Sequence, residues 1–293
     1  MTRWGILAAA LLAMAGCAQP EPRYLVGSPY RLGGVWSYPQ EDYALSETGL
    51  AEVLPAPGFG GQTANGEAIN ALGLTAAHRS LQLPSIIRVT NLENGRSMLL
   101  RVNDRGPEKP GRILGVSPRA GALLGMAPGR ATQIALVVDA EMSRAVAEGL
   151  PGHAPALISI AAAPRAAVLR EELAPLPGAR EAPRREIQPL PSAAPTAELV
   201  PQRHGRLAPL PDAVTQTAPR PGSLLVEAGQ FSSRFAAEAV AARLPGARIS
   251  QQGRGRSASF RVALGPFADV AAADFARERS LAAGLSGARI IVE

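Results

Sequence analysis

The sequence predicts two folded modules of different class: a mainly β module in the first half and a small α+β module at the C-terminus. Three observations predict this. A strand–turn–strand pattern runs through residues 85–103, with further short apolar runs after it. Residues 222–293 carry strand and helix signals in the order β-α-β-β-α-β. Between the two, from about Pro151 to Pro221, lie roughly half of the 27 prolines, with alanine, arginine and glutamate between them, the composition of an extended tether. Aromatic residues make up only 4% of the chain, too few for one large core but enough for two small ones.

In the first module, Ser85–Leu92 (SIIRVTNL) is expected as a strand, Asn94-Gly95 as a type I′ turn and Ser97–Asn103 as the returning strand. Met98, Leu100 and Val102 share one face by alternation, and Asp104 is expected on that same face just past the strand end. Gly111–Val116 gives another short strand. Ser117 then reads as a helix N-cap, with Pro118 at the first helical position and the helix running to Leu124. Gln133–Asp139 closes the set as a buried strand, and the end of that run into Leu150 adds a short helix. Ala154–Ala162 is apolar enough for a short helix or strand. In the second module the expected strands are Leu224–Ala228, Ala247–Gln251, Ala258–Leu264 and Ala288–Val292, with helices over Arg234–Leu244 and Val270–Ala283.

The net charge of +6 is carried almost wholly by arginine, since Lys109 is the only lysine. This reads as coding bias rather than a nucleic-acid footprint, and no RNP-type aromatic signature supports RNA binding in the β-α-β-β-α-β module. A single cysteine excludes an internal disulfide and a cysteine-rich metal site, and nothing in the pattern calls for a cofactor. The position of that cysteine matters more. Ile6–Ala15 is an apolar run too short to span a bilayer comfortably, and it ends in Met14-Ala15-Gly16-Cys17. Such an ending resembles the lipobox of exported bacterial lipoproteins, which implies cleavage after residue 16 and acylation of Cys17. By the same resemblance, Ala18 after the cysteine implies sorting to the outer membrane. Residues 17–45, with Pro20, Pro22, Pro29 and Pro39 among Tyr24, Tyr30, Trp36 and Tyr38, read as a spacer lying extended against the first module. Trp36 and Tyr38 are expected to dock there, with stacking on sugar rings as the competing role.

Polar and ionisable residues gather between Gln62 and Gly106, where Glu67, His78 and Asp104 stand out. A carboxylate at a rim just past a strand end is partly desolvated, a setting that suits a general acid. Taken alone, Asp104 reads more simply as the turn residue that opens the Asp-Arg-Gly-Pro bend.

Four ordered stretches alter that balance: Thr-Ala-Asn-Gly-Glu at 63–67, Ala-Ala-His-Arg-Ser-Leu-Gln-Leu-Pro at 76–84, Arg-Val-Thr-Asn-Leu-Glu-Asn-Gly-Arg at 88–96 and Arg-Val-Asn-Asp-Arg-Gly-Pro at 101–107. Together they resemble the rare lipoprotein A family of septal lytic transglycosylases. The resemblance implies a six-stranded double-psi β-barrel over 46–140, with a glycan groove and an acidic pair across it. By carry-over, Asp104 is the expected acid/base, Glu67 its electrostatic or glycan-orienting partner, and His78 the group that holds one of them by a hydrogen bond. Asn65, Asn70, Asn103 and Arg105 complete the expected glycan contacts. Against the family pattern, Ala51-Glu52-Val53-Leu54 stands where Ala-Ser-Trp-Tyr is usual, Asn70 replaces a frequent aspartate, and Gly115 replaces another.

After a short helix and tether over 141–221, residues 222–293 resemble the sporulation-related (SPOR) repeat, a ferredoxin-like βαββαβ module that binds glycan strands stripped of stem peptides. Val226-Glu-Ala-Gly-Gln-Phe231 and Arg261-Val-Ala-Leu-Gly-Pro-Phe267 carry the likeness. It implies that Gln230 and Arg261, with Glu227 and Ser259, face the glycan. The expected protein is thus a lipid-anchored enzyme on the inner leaflet of the outer membrane, facing the periplasm and enriched at the septum. Denuded peptidoglycan is its expected substrate, 1,6-anhydro-muramyl ends its product and divisome proteins possible partners. A non-catalytic, expansin-like glycan binder is the alternative.

Overall fold

The computed structural model describes residues 21–56, 61–153, 207–255 and 258–293. The lipobox with Cys17, the glycine-rich loop at 58–60, the Ala154–Ala162 segment and most of the proline-rich tether lie outside those residues.

The spacer forms a small hairpin, β1 (Tyr30–Leu32) paired with β2 (Val35–Ser37), and is stitched to the first module through main-chain bonds. Leu25 exchanges N–H···O bonds with Leu83 at 2.7 and 2.8 Å, and Arg23 N–H donates to Asn65 at 2.8 Å. Docking of the spacer is therefore as expected, but the rings of Trp36 and Tyr38 do not take part. They stand 58% and 66% exposed.

The first module is a closed barrel of six strands: β3 (Ser46–Val53), β4 (Thr75–His78), β5 (Ser85–Asn91), β6 (Arg96–Asp104), β7 (Leu114–Val116) and β8 (Thr132–Val138). Their order is β4-β7-β3-β8-β5-β6, and a parallel β4–β6 pairing closes the ring. Inward-facing residues alternate along each strand and fill the centre: Ala51, Ala76, Val89, Met98, Leu100, Val102, Leu114, Val116, Ile134 and Leu136 are all buried in one cluster.

Two expected details differ. The β5–β6 connection is not a type I′ turn, because that turn needs positive φ at both central residues and only Gly95 has it (φ 79°). Instead residues 92–95 form a longer loop closed by Gly95 N–H to Asn91 C=O at 2.7 Å, and the Asn91 and Asn94 side-chain amides both donate to the Leu124 carbonyl. The second difference concerns Asp104. The β4–β6 register is Ala76↔Val102 and then Ala77↔Asp104, so one extra residue is accommodated on β6. That bulge turns Asp104 away from the core face held by Val102 and out to the barrel surface.

Helix α1 (Pro118–Leu124) follows β7 with Ser117 as its N-cap, and Gly125 ends it in the left-handed conformation (φ 68°). The Ser117 hydroxyl accepts from Ala120 N–H at 3.2 Å and donates to Gly73 C=O at 2.6 Å, joining the helix to the loop beside the site. Ser117→Ala removes the cap and leaves a carbonyl unpaired, so the folded state should lose about 1–2 kcal/mol. A shift of the urea midpoint at unchanged slope checks this. Helix α2 (Ala140–Ala147) follows β8, its Asp139 cap accepting from Met142 N–H at 3.0 Å.

Where the second half of the chain is again described, it lies on the barrel. Thr215–Gln216 (β9) adds to the start of β6, Arg101 Nη1 donates to Ala208 C=O at 2.9 Å, and Leu210 packs on the barrel cluster. The C-terminal module has the expected β-α-β-β-α-β order: β10 (Leu224–Phe231), α3 (Arg234–Ala241), β11 (Arg248–Gln252), β12 (Ser259–Phe267), α4 (Val270–Ala282) and β13 (Arg289–Val292). Its antiparallel sheet runs β11-β12-β10-β13. Leu50 of β3 joins Leu224, Val226, Ala273, Ile290 and Val292 in a shared apolar cluster. Around it, Arg112 makes a two-pronged ion pair with Asp274 (2.8 and 2.9 Å), and Thr48 donates to Val292 C=O at 2.7 Å. The Gln133 side chain also exchanges hydrogen bonds with the Gly222 backbone.

Candidate active site

Two cavities meet on the barrel surface. One, of about 690 Å³, is lined by Asp104, Glu52, Leu54, Ala77 and Pro107; the other, of about 960 Å³, by Glu67, Arg101, Leu72, Leu210 and Asp212. Ile69, Asn70, Thr75 and Asn103 belong to both walls.

The bulge on β6 sets Asp104 into the smaller cavity. Its Oδ1 accepts from Ala64 N–H at 2.9 Å and from Arg105 N–H at 2.8 Å. Two backbone donors on one oxygen fix the carboxylate plane, and Oδ2 has no protein partner among the described residues. The same Thr63–Glu67 segment that supplies Ala64 also carries Asn65 and Glu67. Asn65 is fully buried, and its Oδ1 accepts from Thr63 Oγ1 (2.7 Å) and Glu67 N–H (3.1 Å). Its amide donates to Glu67 Oε1 at 2.9 Å, so Asn65 serves as a local brace.

Glu67 is paired rather than free. Its Oε2 lies 2.8 Å from Arg101 Nη2, and both side chains are nearly buried. Glu67 and Asp104 therefore lie in adjoining cavities, linked through the Thr63–Glu67 segment, and both oxygens of the Glu67 carboxylate are engaged. His78 departs from expectation, because its hydrogen bonds reach neither carboxylate. Its Nδ1 accepts from the Leu81 and Ser80 N–H groups (3.1 and 3.3 Å), which places the ring proton on Nε2, facing Glu47 Oε1 at 2.9 Å. Alternation along β4 explains this: Ala77 faces Asp104, so the next residue turns the other way.

The remaining expected contacts divide. Asn70 and Asn103 line the cavities. Arg105 lines the smaller one, but its guanidinium is committed to the carbonyls of Leu81 and Val26, bolting the spacer to the barrel. Burial there lowers its pKa, opposed by the nearby Tyr30 and Asp104.

In the C-terminal module, all four expected residues lie on the sheet face opposite the buried Val226 and Val262. Gln230 is the cross-strand partner of Arg261, and Ser259 lies two residues along the same face of β12. Glu227 and Gln230 are three apart, a spacing that alternation would split between faces. A bulge between Glu227 and Gly229 restores them to one side, and Gln230 Nε2 reaches Glu227 Oε2 at 3.4 Å. Glu227 also binds Arg289 at 2.8 Å, and Arg261 Nε lies 3.5 Å away. Arg261 further pairs with Glu293 at the edge of a cleft of about 340 Å³, lined also by Arg248, Ser250 and Ala263. Sequence reasoning did not single out Arg101, Glu47 or Arg289, whose roles come from partners distant in the chain. Glu52 was noted there only as a departure from a family pattern.

Barrel and C-terminal module together define a class, a lytic-transglycolase-type barrel followed by a SPOR domain. Residues 51–137 match the family model described as lytic transglycolase, and residues 221–290 the model described as SPOR domain. Within that class the chain is similar to proteins named RlpA. It is 44% identical over 104 residues to the endolytic peptidoglycan transglycosylase RlpA of Rickettsia bellii, a match covering 34% of this chain and 46% of that protein. It is 42% identical over 109 residues to the protein of the same name from Pseudomonas aeruginosa, covering 37% of this chain and 32% of that protein. The chain thus spans less than half the length of these relatives. The crystal structure of the RlpA SPOR domain from Pseudomonas aeruginosa is 25% identical, covers 24% of this chain and 99% of that one, and gives a TM-score of 0.23.

Proposed function

We propose that the protein is an exported lytic transglycosylase that cuts peptidoglycan glycan strands bare of stem peptides, acting within the strand at the division septum. The observation that carries this is Asp104: a carboxylate fixed by two backbone amides, its second oxygen without a protein partner among the described residues, on the wall of a cavity of about 690 Å³. In such a cleavage the acid gives its proton to the glycosidic oxygen as the C1–O bond breaks. The 6-hydroxyl of the same sugar then closes on C1, leaving a 1,6-anhydro end, and no water is consumed. This separates it from two-carboxylate hydrolysis.

The SPOR-type sheet supplies the address, Arg261 and Gln230 presenting donors to sugar hydroxyls, and a diacylated Cys17 supplies an outer-membrane anchor. Trp36 and Tyr38, exposed on the spacer hairpin, offer flat apolar faces for further sugar contact. Septal placement brings division proteins within reach as partners. Arg261→Ala should weaken sedimentation of the full-length protein with stripped sacculi by about tenfold, roughly 1.4 kcal/mol, while product release at saturating glycan stays near wild type.

A second reading has its own observation. Glu67 is locked to Arg101 and His78 to Glu47, so neither serves Asp104 directly, as suits a barrel that binds glycan without cutting it. Incubating the protein with stripped and with peptide-bearing sacculi, followed by mass spectrometry, separates the two. Anhydro-ended fragments from the stripped polymer support the enzyme; co-sedimentation without fragments supports the binder.

A further inference from the structure

Among the carboxylates that share a cavity with Asp104, Glu52 is placed on the same sheet face by strand pairing. Four strands place it there in a single cross-strand row. Asp104 of β6 is the partner of Ala77 on β4, Ala77 of Gly115 on β7, and Gly115 of Glu52 on β3. Directly paired residues project to the same side of a sheet, so all four share the outer face. Their inward neighbours agree, since Ala51, Ala76, Val102, Leu114 and Val116 fill the core.

The two members between the carboxylates carry almost no side chain. Ala77 is buried, and a Cβ on Gly115 would come within 2.6 Å of the Leu54 side chain, which fills that space. The result is a trough with an apolar floor of Ala77 and Leu54 and one carboxylate at each end, within one cavity of about 690 Å³. Three strand spacings put the end Cα atoms about 14 Å apart on a flat sheet, and both residues line the same cavity. Glu52 has no hydrogen-bond or ion-pair partner among the described residues, whereas Glu67 has two.

We infer that Glu52 is the second proton-transfer group of the barrel, facing Asp104 across the substrate; the inference rests on the lytic reading above. Asp104 protonates the glycosidic oxygen as the C1–O bond breaks and its electron pair leaves with that oxygen. The sugar's 6-hydroxyl oxygen forms the new bond to C1, and its proton passes to the Glu52 carboxylate. The two carboxyl groups end the step with exchanged protonation states, and solvent returns the proton between turnovers.

The test uses the full-length protein on stripped glycan strands. Glu52→Gln keeps the side chain's shape, so thermal stability and sedimentation with the polymer should match wild type. Release of anhydro-ended product should fall about a hundredfold or more, carried by kcat rather than KM. Glu52→Asp keeps the acid one methylene shorter and should recover part of the loss. An active wild type with Glu52→Gln within about threefold of it overturns this inference alone. A wild type that releases no anhydro product overturns the lytic reading and this inference with it.

Discussion

Asp104→Asn should lower release of anhydro-ended glycan by roughly a thousandfold while leaving the barrel folded. The reasoning is geometric. The anchored oxygen, Oδ1, accepts two backbone N–H bonds, and an asparagine carbonyl oxygen takes its place with the same acceptor role. The bulge and the Thr63–Glu67 segment therefore stay as they are. What changes is the open oxygen, which becomes an amide with no transferable proton. Loss of a positioned general acid typically costs 10²–10⁴-fold in rate, ~3–5 kcal/mol of barrier. Product release from stripped glycan checks the rate, and an unchanged melting temperature checks the fold. Retention of more than about a tenth of the activity would assign the proton transfer elsewhere.

Asp274→Ala should have the largest effect on stability. Arg112 is buried in the barrel with only 2% of its side chain exposed, and its guanidinium meets both oxygens of Asp274, which is 29% exposed. Removing the carboxylate leaves a desolvated cation without its counter-ion. A fully buried pair broken this way costs ~3–5 kcal/mol, and the partial exposure of Asp274 reduces that to about 2–3. For a folded unit of this size the melting temperature should fall by roughly 5–10 °C. Calorimetry of wild type and variant measures it, and a shift under about 1 °C would show that the pair adds nothing to the Leu50 cluster around it. Arg112→Leu combined with Asp274→Leu should recover most of the loss, since it removes both charges and fills the space with apolar atoms.

Much of the fold was legible in local pattern. The strands at 85–91, 96–104 and 132–138 are rich in β-branched and apolar residues, and the Ser117-Pro118 helix start follows cap chemistry closely. The two barrel strands with no such signal were β3, polar and interrupted by Gly49, and β4, only four residues with two alanines. Those two carry Glu52 and Ala77, so the floor and far end of the trough were hidden with them. Asp104 was found as a residue but not as a direction, whereas Gln230 shares the face of Arg261 as expected. A β-bulge overrides strict alternation at Asp104 and turns it outward, and a second bulge is what brings Gln230 beside Glu227. A bulge depends on pairing with another strand, which one strand's sequence does not display. The partners of His78 and Glu67 were likewise set by register: β4 alternation sends His78 to Glu47, and Arg101 reaches Glu67 across thirty-four residues. The Arg112–Asp274 pair, separated by 162 positions, has no local signal at all.

The central claim, that this barrel breaks glycan strands without adding water, is tested most directly by digesting stripped glycan strands in heavy-oxygen water and weighing the new ends. The account predicts new ends that are anhydro sugars carrying no heavy oxygen, and none from Asp104→Asn. Reducing ends labelled with one heavy oxygen would make the protein a hydrolase, and glycan that is bound but uncut would make it a binder; either result contradicts the account.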